Sequence, residues 1–218
     1  MLTGLADGAN AASPAARFRR RRFRFFEALL QTLDGRISIL DIGGTPSFWR
    51  AMDFDDRRLD VLVVNQERFE PSDARVRCAP GDARSLSEYA SRSFDVVFSN
   101  SVIEHVGAWA DQANMAAEVR RIGRRYFVQT PNKYFPIEPH FLVPGFQFLP
   151  LPVRAQLLMH ADLGWFKKTA DYDAAMKTVG AVRLLARREV RDLFPDAQIY
   201  RERVLGLTKS FVAYGGWS

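Results

Sequence analysis

The chain has 218 residues, 47% apolar and 26% charged, which suffices for one domain with a full core and falls short of two of ordinary size. Its single cysteine, Cys78, excludes an internal disulfide and a cysteine-built zinc site, and points to a reducing compartment, taken here as the cytoplasm. No stretch approaches the ~20 uninterrupted apolar residues of a membrane span, and much of the net charge of +6 sits in one run, Arg19 to Arg22 with Arg24.

Met1 to Pro14 is rich in alanine and glycine with no apolar segment before the basic run, so residues 1–14 are expected to be a frayed tail and 15–218 a single domain. From about Ala15 to Leu33 the spacing predicts an amphipathic helix. Phe18, Phe25, Phe26, Leu29, Leu30 and Leu33 share one stripe, which leaves most arginines on a solvated face. Attraction of that face to an anionic membrane or to RNA is the minority reading. After the turn Asp34-Gly35 come five apolar runs: Ser38 to Ile42, Leu59 to Val64, Val76 to Ala79, Phe94 to Phe98 and Tyr126 to Gln129. Each is strand length and ends in turn residues. Ser85 and Ser87 predict a capped helix after the third run, and Trp109 to Arg125 predicts a helix after the fourth. Strands alternating with helices imply parallel βαβ units and a doubly wound sheet.

Beyond Lys133 the alternation stops. Phe141 to Pro152 holds three phenylalanines, three leucines and three prolines, a mixture suited neither to a regular helix nor to a central strand. Residues 133–182 are therefore read as an insertion after the fifth strand. In it, Phe141, Leu142, Phe146, Phe148, Leu149 and Leu151 form a lid over an acceptor, pack on the sheet, or face a lipid surface. The alternation returns with a helix at Arg187 to Leu193 and strands at Gln198 to Arg203 and Lys209 to Tyr214, seven strands in all.

The most informative stretch is Ser38-Ile39-Leu40-Asp41-Ile42-Gly43-Gly44-Thr45-Pro46. A buried strand ends in an acid and is followed at once by paired glycines, which let the backbone turn sharply. In open α/β sheets ligands collect at the carboxyl ends of central strands. An acid there suits a ligand carrying positive charge. The Gly-x-Gly-x-x-Gly spacing of dinucleotide sites is missing, and the acid precedes the glycines instead of standing on the next strand.

This stretch resembles motif I of the class I S-adenosylmethionine-dependent methyltransferases, and the later strand tips follow in the order that family uses. The resemblance runs from about Arg36 to Tyr214 and implies an α/β fold: a Rossmann-like, mostly parallel seven-stranded sheet with helices on both faces. It implies S-adenosyl-L-methionine as cofactor, with Asp41 holding the methionyl amine and Gly43 and Gly44 admitting the ligand against the backbone. Thr45 stands where many members carry a further glycine. Asn65 takes the place of the usual ribose-binding acid, with Glu67 as a substitute. Asp82 and Ala83 match the adenine-edge motif. In Phe94-Asp95-Val96-Val97-Phe98-Ser99-Asn100-Ser101-Val102-Ile103-Glu104-His105-Val106, the residues Ser99, Asn100 and Ser101 would lie near the methionyl end. His105 lines the reaction centre or merely packs.

For a hydroxyl acceptor, His140 is the preferred general base, with Glu138 orienting or replacing it; the two are equally readable as a structural pair. His105, His140 and His160 show no metal-ligand spacing, so no metal is expected. The resulting expectation is methyl transfer to a small or medium organic acceptor, at oxygen. A membrane-associated quinone or lipid methyltransferase and a non-catalytic S-adenosylmethionine-binding protein stay open. No Asn-Pro-Pro-Tyr-like tetrad follows the fourth strand, which argues against the DNA and RNA methyltransferases that act on exocyclic amines, and a nucleic-acid partner is not expected.

Overall fold

The structure, a computed structural model, describes residues 14–51, 58–70 and 75–217; the expected tail, apart from Pro14, lies outside them. Seven strands form one sheet in the order β3-β2-β1-β4-β5-β7-β6. They are β1 (Ile37–Ile42), β2 (Leu59–Asn65), β3 (Val76–Pro80), β4 (Phe94–Asn100), β5 (Gly123–Pro131), β6 (Gln198–Val204) and β7 (Leu207–Gly215). The first five run parallel, with Leu40 opposite Leu62 on β2 and Val97 on β4. β7 enters antiparallel against β5, and β6 and β7 form a hairpin. The strand order reverses between β1 and β4, so the switch point lies between their carboxyl ends.

Period-two alternation sorts each strand's side chains onto two faces. Ile37, Ile39, Val61, Val63, Val96, Phe98, Phe127 and Val212 pack on one side with Phe23, Phe26 and Leu30 of α1 (Pro14–Leu30) and Trp49 of α2 (Pro46–Ala51). Leu40, Ile42, Val64, Val97, Val128 and Phe211 pack on the other against α3 (Trp109–Ile122) and α6 (Arg187–Leu193). Fully burying each such side chain stabilises the fold by about 1.5–3 kcal/mol.

Three expectations are corrected. The basic helix ends at Leu30 rather than Leu33, and it turns Phe23 and Arg22 inward, each under a tenth exposed. Phe18 stays half-buried beneath the ammonium of Lys209, 4.6 Å from the ring centre. No helix follows Asp82: residues 85–90 run in turns. Buried Leu86 donates its N–H to Glu118 Oε2 and accepts at its carbonyl from Arg121, so side chains of α3 replace the helical bonds. The insertion is also more regular than its composition suggests, holding α4 (Leu151–His160) and α5 (Tyr172–Gly180). Pro152 falls in the first turn of α4, where a missing N–H costs nothing. Phe141, Phe146, Ala155, Leu158, Ala175 and Val179 give the insertion a core of its own. Phe148 and Leu151 remain exposed, 53% and 41%.

Candidate functional site

Gly43 adopts φ +75°, a conformation open to glycine, and its N–H binds the Val64 carbonyl at 2.7 Å. A Cβ on Gly44 would stand 1.8 Å from Asp41 Oδ2, so only glycine lets the turn close over the acid. Asp41 is 1% exposed; Oδ2 accepts from Trp49 Nε1 at 2.7 Å, while Oδ1 has no hydrogen-bond partner among the described residues. Burial pushes the carboxyl up to about 7, against the opposing Trp49 bond. A buried acid with one empty oxygen beside a glycine cradle fits a group that brings a cationic amine.

Asn65 spends its amide nitrogen on the Gly43 and Gly44 carbonyls at 3.2 and 2.9 Å, and its oxygen accepts from the Glu67 N–H. It stitches the glycine turn to the tip of β2 and keeps one lone pair for a ligand hydroxyl. Thr45 and Ser47 pair their hydroxyls at 2.9 Å just beyond the turn. Asp82 is gripped by Arg84, whose guanidinium bonds hold the carboxyl below the usual carboxylate range, and its edge remains partly exposed. Ala83 follows at the same tip.

At the tip of β4 the three expected residues separate by face. Ser99 is buried and donates to the Ile42 carbonyl, tying β4 to β1. Asn100 faces α1, where its side-chain oxygen accepts from Arg22 Nη1. Ser101, at φ +57°, donates to Gln129 Oε1 at 2.7 Å. Arg22 also donates to Gln129 at 2.9 Å and forms a two-pronged pair with Glu202 at 3.0 and 2.6 Å. Arg22, unlike most of its run, thus points inward and braces the β4 and β5 tips.

His105 and His140 meet. Their Nε2 atoms lie 3.1 Å apart with the rings nearly perpendicular, and Glu138 Oε1 holds His140 Nδ1 at 2.7 Å. Glu138 is fixed in turn by the N–H groups of His140 and Phe141. Glu104 lies fully buried beside them, with Oε2 accepting from Thr130 Oγ1 at 3.0 Å and Oε1 without a hydrogen-bond partner among the described residues. His105 keeps an edge open to solvent, yet lost hydration and the facing His140 push it down to about 4. Burial works against a charged His140, but the bond and charge of Glu138 outweigh it and raise its pKa. Glu104 is pushed up to about 7 by burial. His160 stands apart, bonded to the Gln156 carbonyl. Beside the cluster is a cavity of about 410 Å³ whose walls include Glu138, Lys133, Phe146, Arg154 and Arg183.

The sequence reading missed Arg22, Trp49, Glu104 and Gln129. Glu104 lay inside a motif already singled out, and Arg22 stands on the apolar stripe, four residues after Phe18 and four before Phe26; Trp49 carries no local signal, since it acts across elements.

Residues 48–125 match the family model described as a methyltransferase domain. An uncharacterized protein of Mycobacterium tuberculosis strain H37Rv is 35% identical over 90 residues, 41% of this chain and 28% of that protein; its counterpart in strain CDC 1551 matches equally. The chain thus spans just over a quarter of the length of the curated relatives it matches. Among solved structures, the CurJ carbon methyltransferase superposes with TM-score 0.55 at 12% identity, covering 90% of this chain and 53% of that one. A protein from Rhodobacter sphaeroides described as a putative zinc-dependent alcohol dehydrogenase also gives 0.55, at 12% identity, covering 88% and 87%. A complex of the Haloferax volcanii Trm112 methyltransferase activator with a putative methyltransferase gives 0.50, at 11% identity over 92% and 94%. Such identities speak for the fold alone. The matched segment is similar to a methyltransferase domain, and the seven-stranded sheet is the fold shared with these solved structures.

Proposed function

We propose that this chain transfers the methyl group of S-adenosylmethionine to a hydroxyl of a small or medium organic acceptor. The observation that carries the reading is Asp41, a buried acid with an unused oxygen, held against a glycine turn at the sheet's switch point. When bound, the cofactor supplies a methyl group on a sulfonium. Asp41 takes the methionyl amine, with Gly43, Gly44 and Thr45 forming the turn beside it. Asn65 takes a ribose hydroxyl, Asp82 and Ala83 the adenine edge, and the Ser99 to Ser101 tip the methionyl end.

The chain's main contribution is placement, for which proximity and orientation are worth about 7–11 kcal/mol. A hydroxyl must also be made nucleophilic. His105 and His140, with Glu138 and Glu104 behind them, are the groups beside the cavity able to draw off its proton or polarise its oxygen. The walls combine Phe141 and Phe146 with Lys133, which suits an acceptor with an aromatic or apolar body and an anionic group.

Titration calorimetry with S-adenosylmethionine and S-adenosylhomocysteine, using NAD and ATP as controls, tests the cofactor half. Selective binding that Asp41→Ala weakens by about tenfold or more supports it; binding kept within a few-fold refutes the assignment. His140→Ala is expected to lower turnover on hydroxylated acceptors while cofactor affinity holds. Unchanged turnover removes the histidine pair from the reaction.

A further inference from the structure

Glu104, His105 and His140 come from two loops, the Ile103–His105 turn after β4 and the segment after β5, and each offers a ligand atom within 4.8 Å of the others. We propose that they form a binding site for one divalent first-row transition cation, next to the cavity that Glu138, the partner of His140, lines. The two Nε2 atoms lie 3.1 Å apart. With metal–nitrogen bonds of about 2.0–2.1 Å, one ion between them would subtend roughly 95–100°, the angle of neighbouring ligands around a single centre. A Glu104 carboxylate oxygen lies within 4.8 Å of a ring nitrogen of each histidine. Two imidazoles and one carboxylate on one side leave further positions open for oxygen ligands.

The surroundings favour a cation over a simple imidazole pair. Glu138 engages His140 Nδ1 at 2.7 Å, which fixes the ring so that its Nε2 lone pair faces the cluster. Glu138 itself is locked by the two N–H groups following it. Thr130 orients Glu104 through one oxygen, and the other is buried with no partner among the described residues. A carboxylate held like this is costly unless a positive charge meets it. An ion at this point would present its open positions to an acceptor hydroxyl or paired oxygens. That use rests on the function proposed above; the site itself rests only on these side chains.

The test is a titration of the full chain with Co²⁺, followed by visible absorption and calorimetry without cofactor. Expected is one equivalent, bound tighter than about 0.1 mM, with nitrogen-ligand absorption bands that Zn²⁺ displaces. His105→Gln and His140→Gln should each abolish the bands, Glu104→Gln should weaken binding about tenfold or more, and Glu138→Gln about 10–100-fold. His160→Gln, distant and exposed, should leave binding unchanged. Binding weaker than millimolar, or binding indifferent to His105 and His140, overturns the proposal. Thermal melts and S-adenosylhomocysteine titrations of the same samples separate the two claims. Ion binding without cofactor binding keeps the site and sinks the methyl-transfer reading; cofactor binding with no ion binding does the reverse.

Discussion

Asp41 illustrates how a residue proposed to serve the site can be unfavourable to the fold. Its acid pKa is raised to about 7 in the folded chain, chiefly by burial. Ionisation is therefore penalised in the folded state, and the penalty grows as pH rises from the unfolded value near 4 and is complete above about 7. Asp41→Asn removes it. The variant should match the wild type in thermal melts near pH 4 and become progressively more stable than it up to about pH 7, with a constant gap above. A gap that does not change with pH would show that the carboxyl is not strained by burial. Cofactor binding should respond in the opposite sense. An amine prefers the ionised acid, so affinity for S-adenosylhomocysteine is expected to fall as pH drops below about 7 in the wild type, and to be weak and flat in Asp41→Asn. Gly44 is bound to the same carboxylate by space alone: a Cβ would lie 1.8 Å from Oδ2. Gly44→Ala must push the acid aside, at a cost of about 1–3 kcal/mol in denaturant melts, with cofactor affinity lost alongside.

At the scale of elements, α1 does more than cover an apolar face. Phe23, Phe26 and Leu30 anchor it to the sheet, and Arg22 reaches past them to Glu202 on β6, Asn100 on β4 and Gln129 on β5. The pair with Glu202 is almost fully buried, and Ser210 adds a further bond to the same carboxylate. Buried pairs are costly to break from one side because the remaining charge is stranded. Arg22→Met should therefore lose about 3–5 kcal/mol in urea unfolding, and Arg22→Met with Glu202→Leu should recover most of that loss. If the double variant is no better than the single, the arginine acts through Asn100 and Gln129 instead. The β4 tip would then be the element it supports.

For the molecule as a whole, the insertion is a separate apolar cluster set beside the sheet rather than an extension of its two cores. Leu158 is fully buried within it. Leu158→Ala is expected to remove about 2–5 kcal/mol of local stability. Amide exchange should accelerate in α4 and α5 while β1 and β4 keep their protection, and turnover should fall with cofactor affinity intact. Uniform loss of protection across the sheet would mean that insertion and sheet unfold as one unit. No described helix is long and apolar enough to cross a membrane.

Much of the frame was legible in the chain because it is written in local periodicity. Strand-length runs located all seven strands to within two residues at each end, except that β5 starts at Gly123, three residues before Tyr126, where the sequence pointed to the end of a helix. The acid and paired glycines at the end of the first run marked the switch point, since a sharp turn needs those residue types wherever the strand lies in the sheet. Tertiary structure alone decided what depends on pairs distant in sequence. Arg22 and Glu202 are 180 residues apart, and burial with four hydrogen bonds to three side chains made this arginine an internal brace. His105 and His140 are 35 residues apart, with no spacing to connect them. They meet because β4 and β5 are parallel neighbours, and parallel strands deliver their following loops to the same edge of the sheet.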